Sequence, residues 1–464
     1  MSTHFVIVGN GAAGYRAAKA VRRADSDAQV SLFTEEEHPF YLRRQLGDFL
    51  AGNLTLSELI FQSRNSYRRE RIDLFLATPV VGIDPAAHEV ILASGQRVRY
   101  DRLLLATGTR PVPLDIPGAG LGGVATFDTL ATAIGIQPLL DDARRAVILG
   151  EGVIGLAMAE SLTQRGMRVT QFLRRERFWP DVLDETTSAL VERVLEGNGV
   201  ALRRGEEARA IIGAADRAIG VETGAGETLP AELVAAGCRR QPAVELVEGS
   251  GIEVGRGIRV DASLRTNQPD VFAAGDVTEP VGSDEFASGG LPVCWQRAWD
   301  QGALAAAAML GRKAEAALEA VRIRTAVFGV DLAVIGRGHL PAGGDVAALD
   351  MQDEPQVFRR LVFEKDLLVG AVVFGTGEFV HELNRLVAQR APREVVETTL
   401  RISPEPPVEN VLQKTFAQHC PICAAELVMH RGTPIGSRLR CSACNTDLEI
   451  TWDGRRVRLE VPRH

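Results

Sequence analysis

Short apolar runs that end in glycine-rich turns set the pattern of the first half of the chain. The run from Phe5 to Val8 leads into the turn GNGAAG at Gly9 to Gly14, and the helix-like stretch AAGYRAAKAV overlaps and follows it. The same order returns further along, where RAVILG leads into GEGVIG at Gly150 to Gly155 and then GLAMAESL. Uninterrupted apolar runs of this length between turn signals are typical of strands buried in a parallel sheet. The pattern predicts an α/β fold in which one strand–turn–helix unit occurs twice.

Both glycine turns have the spacing that holds a dinucleotide pyrophosphate. The first glycine makes the tight bend, the second lets the backbone approach phosphate, and the third allows close packing of the helix on the strand. The helix N-terminus then favours the negative charge. Two plain strand–helix turns are the structural alternative. The predicted contact residues are Gly9, Gly11, Ala12, Ala13 and Gly14 in the first turn, and Gly150, Gly152, Val153, Ile154 and Gly155 in the second.

The residues that close the second strand of each unit differ in charge. AQVSLFTEEE brings Glu35 and Glu36 to the place where an acid commonly bonds the ribose of a dinucleotide. We expect Glu35 there, with Glu36 as the alternative. In RVTQFLRRERFWP that place is taken by Leu173, and Arg174 and Arg175 follow. Two arginines suit the 2′-phosphate of NADPH, or they solvate a strand end. NADH and NADPH both remain open.

Composition limits the class of protein. The chain has 464 residues, of which 45% are hydrophobic and 24% charged, so several globular domains are expected. A formal net charge of -8 argues against wholesale nucleic-acid binding, which needs a positive field. The first apolar run is too short for a signal peptide or a membrane-spanning helix. We therefore expect a cytoplasmic protein without a membrane partner.

The cysteines concentrate at the C-terminal end. Cys420 and Cys423 form one CxxC pair, and Cys441 and Cys444 form a second, with 17 residues between the pairs. This spacing is typical of a four-thiolate zinc site. Disulfides are the alternative, although a reducing compartment disfavours them. A tail of this size buries little core, so a metal ion would stabilise it.

Four motifs in a fixed order carry a family resemblance: GNGAAG, the ATG turn of RLLLATGTRP, GEGVIG and RTNQPDVFAAGD. The chain resembles two-dinucleotide flavoproteins of the pyridine nucleotide-disulfide oxidoreductase superfamily over about residues 4 to 390. The resemblance implies FAD at the first glycine turn and NAD(P)H at the second. For FAD it adds Ala106, Thr107 and Gly108 of the ATG turn, Gly275, and Asp276 at the ribityl chain.

Further segments of the sequence resemble segments of ferredoxin reductases and of the large subunits of nitrite reductases. HPFYLRRQLGDFLAG matches the segment after the acidic turn, with Arg43 at the family arginine. FGVDLAVIGRG and LLVGAVVFGTGEF resemble the third domain of that group. In WQRAWDQGALAAAAMLG, Trp295 stands where related ferredoxin reductases place an aromatic close to flavin or nicotinamide. A plain core tryptophan is the alternative.

Departures from the family pattern exclude some activities. Neither nucleotide domain contains a CxxC or CxxxxC pair, and Cys238 and Cys294 are single, so a dithiol reductase is not expected. Cys294 is interpreted as a small buried hydrophobe. Ala157 replaces a glutamate that many relatives use to position nicotinamide, and Glu160 lies three residues further along the same helix.

These features predict four folded units, of which the first is formed by two separate segments of the chain. An FAD-binding domain takes 1–115 and 245–316, an NAD(P)H-binding domain 116–244, and an α+β interface domain 317–400. A proline-rich linker, 401–414, leads to a four-cysteine zinc ribbon at 415–464.

The resemblance implies transfer of electrons from NAD(P)H through flavin to a carrier: a ferredoxin, a rubredoxin or a separate reductase component. The alternatives are an NAD(P)H oxidase that uses oxygen and a flavin redox sensor whose zinc ribbon binds a partner. The tail is expected to bind zinc, because Ala424 and Asn445 stand where rubredoxin-like loops have glycine. Iron is the alternative, since four thiolates suit both metals. A homodimer is an open alternative to a monomer.

Overall fold

The computed structural model describes most of the chain. Cys238 and the linker residues 402–414 lie outside the described part. The described residues are 2–237, 240–282, 294–312, 321–338, 346–354, 357–375, 379–401, 415–430, 438–441, 443–452 and 457–461. Among the helices of these residues, none has both the length and the hydropathy that a membrane crossing requires.

The first domain is built on a five-stranded parallel sheet, as the apolar runs predict. The His4–Val8 strand occupies the centre, with Gln29–Phe33 on one side and Arg102–Leu105 on the other. Val271–Ala273 and Asp73–Phe75 close its two edges, so the segment after the second domain returns to the first sheet. Two helices, Ala12–Ala24 and Trp295–Met309, pack closely on each other. The approach is so close that a Cβ at Gly302 would overlap the backbone of Ala13.

Small elements complete the first domain. An antiparallel three-stranded sheet carries no residue of the predicted sites, and short helices follow the acidic turn. Their bounds are Val80–Asp84, Glu89–Leu92 and Arg97–Arg99 for the sheet, Ile258–Val260 with Thr278–Pro280 for a strand pair, and Arg43–Gln45, Leu46–Ala51, Leu56–Leu59, Arg64–Arg69 and Glu245–Val247 for the helices.

The second domain repeats the plan of the first. Its central strand, Arg145–Leu149, lies parallel to Arg168–Leu173 and Leu233–Ala236, all three being largely buried. Duplication of the strand–turn–helix unit is therefore visible in the fold, which confirms the α/β prediction. The remaining elements are the parallel edge strands Ala201–Arg204 and Val124–Thr126, the antiparallel strands Ala208–Ala214, Arg217–Thr223 and Thr228–Pro230, and the helices Leu130–Leu140, Val153–Gln164 and Glu185–Gly197.

Two short antiparallel strands join the first two domains. Thr109–Pro111 leaves the first domain, and Arg240–Pro242 returns to it. Arg240 holds the pair together: its Nε donates to Thr109 Oγ1 at 2.6 Å. The domain boundaries expected at 115 and 245 stay predictions.

The third domain is an antiparallel five-stranded sheet covered by two helices. Its apolar face packs on Leu383 and Leu386 of the first helix, both fully buried. In spatial order the strands are Val321–Val327, Val330–Gly336, Leu367–Phe374, Val357–Glu364 and Val346–Glu354, and the helices are Val380–Ala388 and Arg393–Arg401.

The C-terminal module consists of two small antiparallel sheets, each carrying one CxxC pair. Cys420 and Cys423 lie in the turn between Thr415–His419 and Glu426–His430. Cys441 and Cys444 lie between Arg438–Arg440 and Asp447–Trp452, and Val457–Glu460 is the third strand of that sheet. Paired turns of this kind are the architecture that the cysteine spacing predicts.

Candidate functional site

The first glycine turn brings a helix N-terminus against two strand ends. Gly9 has a φ of 107°, which glycine adopts readily, and a Cβ there would overlap the carbonyl oxygen of Ala106. A Cβ at Gly14 would overlap the carbonyl oxygen of Gly9. These two glycines let helix Ala12–Ala24 approach the sheet closely.

Gly11 differs from its neighbours because it faces open space. A Cβ built on it would meet no atom within 4 Å. Gly11 is the N-cap of helix Ala12–Ala24, no side chain caps that end, and the first turn contains no acid. Asn10 in the same turn has a buried Nδ2 without a hydrogen-bond partner among the described residues. An open, uncapped helix end with a spare buried donor fits the pyrophosphate of FAD.

The acidic turn offers two carboxylates in different settings. Glu35 is half-exposed and forms an ion pair with Arg110 at 2.8 Å. Glu36 is more buried; it accepts a hydrogen bond from Tyr41 at 2.7 Å and pairs with Arg43 at 2.5 Å. Glu35 thus retains free surface toward solvent, whereas both oxygens of Glu36 are used. The role of Glu35 at a ribose stays a prediction.

A buried charge network connects this turn to the second domain. Arg43 donates to the backbone of Asp128, and its Nη1 lies 3.7 Å from the carboxylate of that residue. Arg240 donates to the same carboxylate at 3.0 Å, and the side chains of Asp128 and Arg240 are only 12% and 11% exposed. The sequence carries no signal for Asp128 or Arg240, because no local motif marks them and only the tertiary fold brings them together.

The ATG turn and the segment at Asp276 complete the first site. Thr107 Oγ1 donates to the carbonyl oxygen of Ala243 at 2.8 Å, and Gly108 has a φ of 68°. Burial raises the pKa of Asp276 to about 6, and its carboxylate accepts a hydrogen bond from the backbone N–H of Cys294 at 3.4 Å. Asp276 nevertheless keeps some exposed surface. A partly accessible carboxylate in this place fits a hydroxylated chain such as the ribityl group.

Gln301 is a further residue that the sequence analysis missed. Its Oε1 accepts a hydrogen bond from the backbone N–H of Gly275 at 2.6 Å, and the side chain is fully buried. This contact holds the turn that presents Asp276. An isolated glutamine on a helix carries no sequence signal for such a role.

Trp295 is the first residue of helix Trp295–Met309, and the residue before it, Cys294, donates its backbone N–H to Asp276. Its ring stacks on Trp299 with 5.0 Å between ring centroids and 20° between planes, and the Arg44 guanidinium lies 4.9 Å from its centroid. The neighbouring Cys294 is buried, and burial raises the pKa of its thiol to about 11. Cys294 is therefore protonated at neutral pH and ill suited to nucleophilic chemistry.

The second glycine turn repeats the geometry of the first. Gly150 and Gly152 have φ values of 139° and 123°, and a Cβ at Gly150 would overlap Gly237. Gly155 lies against Gln171, whose Nε2 donates to the carbonyl oxygen of Gly150 at 2.9 Å. Gly152 caps helix Val153–Gln164 without any side-chain hydrogen bond. This end also fits a pyrophosphate.

The strand end beside the second turn carries the two arginines. Leu173 is fully buried and so cannot line a cofactor. Arg174 is 69% exposed and pairs with Glu207 at 2.6 Å, and Arg175 is 54% exposed and pairs with Asp181 at 2.6 Å. Glu160 accepts a hydrogen bond from the backbone N–H of Phe328 at 2.9 Å, so it contacts the third domain.

The four C-terminal cysteines form one cluster. Their sulfur atoms all lie within 4.8 Å of one another, and all four side chains are buried. Hydrogen bonding to Cys420 and Cys444, together with burial, raises the pKa of the Cys423 thiol well above its ordinary value. A divalent cation between the sulfurs would remove this penalty by binding thiolates. The donor set fits a tetrahedral metal site.

Comparison with known proteins shows a similarity that spans the first two domains. Residues 3–302 match the family described as pyridine nucleotide-disulphide oxidoreductase. The assimilatory nitrate reductase electron transfer subunit of Bacillus subtilis (strain 168) is 28% identical over 402 residues, 84% of this chain and 51% of the relative. This chain thus spans about half the length of that relative.

Two ferredoxin reductases are also similar. The ferredoxin–NAD(+) reductase component of the anthranilate 1,2-dioxygenase system of Burkholderia cepacia is 35% identical over 310 residues, 66% of this chain and 75% of the relative. The crystal structure of the ferredoxin reductase for the CYP199A2 system from Rhodopseudomonas palustris has a TM-score of 0.74 and 27% identity. That match covers 81% of this chain and 91% of the other.

Proposed function

Because the chain belongs to the pyridine nucleotide-disulphide oxidoreductase family, we propose that it is an FAD-dependent NAD(P)H oxidoreductase that delivers electrons to a carrier protein. The observation that carries the proposal is the pair of uncapped helix ends at Gly11 and Gly152, one on each parallel sheet. Two such ends supply one pyrophosphate site for FAD and one for NAD(P)H.

The side chains of this protein bind and orient the cofactors rather than perform acid–base chemistry. FAD supplies the redox step when bound, since it takes a hydride from nicotinamide and can release the electrons one at a time. Gly11 leaves room for its pyrophosphate, and Glu35 and Asp276 would bind hydroxyl groups. Gly152 and Arg174 would contact NAD(P)H. The protonated thiol of Cys294 supports a reaction without a cysteine intermediate.

The proposed acceptor is a ferredoxin, a rubredoxin or a separate reductase component. The similarity to two ferredoxin reductases and to a nitrate reductase electron transfer subunit supports a protein acceptor. Absence of a second cysteine from the sequence around Cys294 argues against a disulfide substrate. A cytoplasmic location and a homodimer remain predictions.

We also propose that the four C-terminal cysteines hold a metal ion. Four buried thiols this close suit zinc, which the sequence favours, and iron alike. Zinc would restrict the module to a structural or partner-binding role.

Steady-state turnover with three acceptors tests the proposed function. Purified full-length protein is supplied with NADH or NADPH and with oxygen, a ferredoxin or rubredoxin, or a low-molecular-weight disulfide. We expect fast turnover only with the carrier protein. Fast consumption of oxygen would support the oxidase instead, and no turnover with any acceptor would support the sensor.

A further inference from the structure

The C-terminal module lies on the first domain through its metal-binding loops. We name residues 420–425 and the described residues of 441–446, which are 441 and 443–446, the cysteine loops. Arginines of the preceding domains donate hydrogen bonds to backbone oxygens of these loops: Arg44 to Pro421, Arg16 to Ala443 at 3.2 Å, and Arg324 to Ala424 at 3.4 Å. The edge of the module nearest its sulfurs therefore faces the first domain.

The surface beneath the cysteine loops is aromatic. The Arg44 guanidinium that bonds Pro421 also stacks on Trp295, and the Arg16 guanidinium lies 5.3 Å from the ring centroid of Trp299. Trp295 packs against the same hydrophobic cluster to which the four cysteines and the fully buried Ile422 belong. The module and Trp295 therefore share one apolar cluster.

This contact continues to the predicted flavin site. Trp295 follows Cys294 in sequence, and the backbone N–H of Cys294 donates to Asp276. Asp276, the tryptophan pair, Arg44 and the first cysteine loop thus form a continuous path of packed groups. This path leads from the carboxylate predicted to bind the ribityl chain to the backbone of the first cysteine loop.

We propose that the four-cysteine centre binds iron and accepts electrons from the flavin within the same chain. The proposal rests on the proposed function, which supplies two electrons to the flavin as hydride from NAD(P)H. Each electron would convert one ferric ion to the ferrous state without breaking a bond to the metal, and the reduced flavin would release one proton to solvent as its two electrons leave. The ferrous centre passes the electron to the external carrier protein, so two such steps complete one turnover.

The placement of the loops favours this role over a structural zinc site. A structural zinc module is stabilised by its own metal, and its loops need no contact with another domain. Here the backbone of both loops accepts hydrogen bonds from Arg44 and Arg16, whose guanidinium groups lie against the tryptophan pair. Fixed contact between donor and acceptor suits electron transfer.

The residues after the second cysteine of each pair do not argue against iron. Ala424 and Asn445 have φ values of 58° and 59°, the left-handed conformation that glycine favours. The two loops therefore have the conformation that glycine would give them, and the absence of glycine leaves the loop shape unchanged.

The arginines also affect the charge balance at the centre. Arg44 and Arg16 donate hydrogen bonds to the backbone of the two cysteine loops, which places two guanidinium groups beside the four-cysteine centre. A ferrous tetrathiolate carries one more negative charge than a ferric one. Neighbouring guanidinium groups stabilise the ferrous form and raise the reduction potential of the iron.

The test uses the full chain produced with iron as the only added transition metal. Metal content is measured, and the flavin and ferric–thiolate absorbances are followed separately after anaerobic mixing with NADH or NADPH, without acceptor. We expect one iron per chain and loss of the ferric signal after the flavin is reduced. Failure to retain iron, or a reduced flavin together with a persistent ferric signal, would overturn the iron proposal and leave the proposed function standing. If neither donor reduces the flavin, the proposed function fails as well.

A variant of Arg44 tests the path itself. Arg44→Gln removes the cation over Trp295, and Arg99→Gln is the matched control because Arg99 is 85% exposed and pairs only with Glu89 among the described residues. We expect Arg44→Gln to keep its iron, to slow iron reduction at least tenfold and to move the iron potential to a more negative value. The control should match the parent protein. An unchanged rate and potential in Arg44→Gln would contradict the proposal.

Discussion

At the scale of single residues, Asp276 links cofactor binding to stability. Its pKa is raised from 3.8 to about 6 by burial, so between these values the folded protein binds more protons than the unfolded chain. The free energy of unfolding of the flavin-free protein therefore falls as pH rises through this window. Above about pH 6, ionisation of this buried carboxyl lowers the free energy of unfolding by up to about 3 kcal/mol.

Asp276→Asn should remove this cost in protein stripped of flavin. We expect the variant to gain up to about 2 kcal/mol more stability at about pH 8 than at about pH 4, relative to the parent protein, in denaturant unfolding. The same variant should retain FAD less well, because the carboxylate acceptor is lost. A gain that does not change with pH would show that Asp276 titrates normally.

The buried pair of Asp128 and Arg240 should be sensitive to loss of the acid. Asp128→Ala leaves the Arg240 guanidinium buried without its carboxylate, so we expect about 3 to 5 kcal/mol of destabilisation. Glu222→Ala is the control, because Glu222 pairs with an arginine that is 70% exposed. Unfolding by urea measures both variants, and equal small losses would argue against the network.

Arg174 is the residue with which to test donor preference. If its guanidinium contacts the 2′-phosphate of NADPH, Arg174→Ala should raise KM for NADPH about tenfold and leave KM for NADH unchanged. Arg168→Ala, at the opposite end of the same strand, provides the control. Equal KM values for parent and variant with both donors would assign Arg174 to its ion pair with Glu207.

Sequence alone could mark those residues whose type is required by the geometry of a short stretch of chain. The glycines stand out because a tight turn and a helix approach exclude a side chain there. The four cysteines stand out because metal spacing is local in sequence. Asp128, Arg240 and Gln301 could not be predicted, since their partners are distant along the chain and none belongs to a short motif.

At the scale of secondary-structure elements, helix Ala12–Ala24 contributes its N-terminus to the first site. Gly11→Ala should fold normally, because the added Cβ meets no atom within 4 Å, but it should fill the space of the pyrophosphate. We expect FAD affinity to fall at least tenfold while the melting temperature of the stripped protein stays the same.

Gly135→Ala is a matched control for this change, since its Cβ also meets no atom within 4 Å. Fluorescence titration of stripped protein with FAD compares the two variants. Full FAD affinity in Gly11→Ala would contradict the assignment of the pyrophosphate to this helix end.

Elements built from continuous apolar runs were predictable, and short polar ones were not. The central strands His4–Val8 and Arg145–Leu149 follow directly from apolar runs before glycine turns. The linking strands Thr109–Pro111 and Arg240–Pro242 have only three residues each. They pair only because the chain leaves the first domain and returns to it at the same place. Sequence periodicity carries no signal for such elements.

At the scale of the whole molecule, the α/β class and the order of the folded units were predictable. The third sheet and the cysteine module follow the two parallel sheets in the expected sequence. The link from the cysteine loops through Arg44 to Trp295 could not be predicted, because no local sequence pattern encodes it. Docking depends on surface complementarity between distant segments, here through Arg16, Arg44 and Arg324.

The central claim is that one chain binds FAD at the first glycine turn and that NAD(P)H reduces it. The most direct test is an anaerobic absorbance titration of the purified full-length protein with NADH and, separately, with NADPH. We expect a stoichiometric flavin whose oxidised spectrum is bleached by one equivalent of at least one donor. Protein without flavin, or a flavin that neither donor reduces, would contradict it.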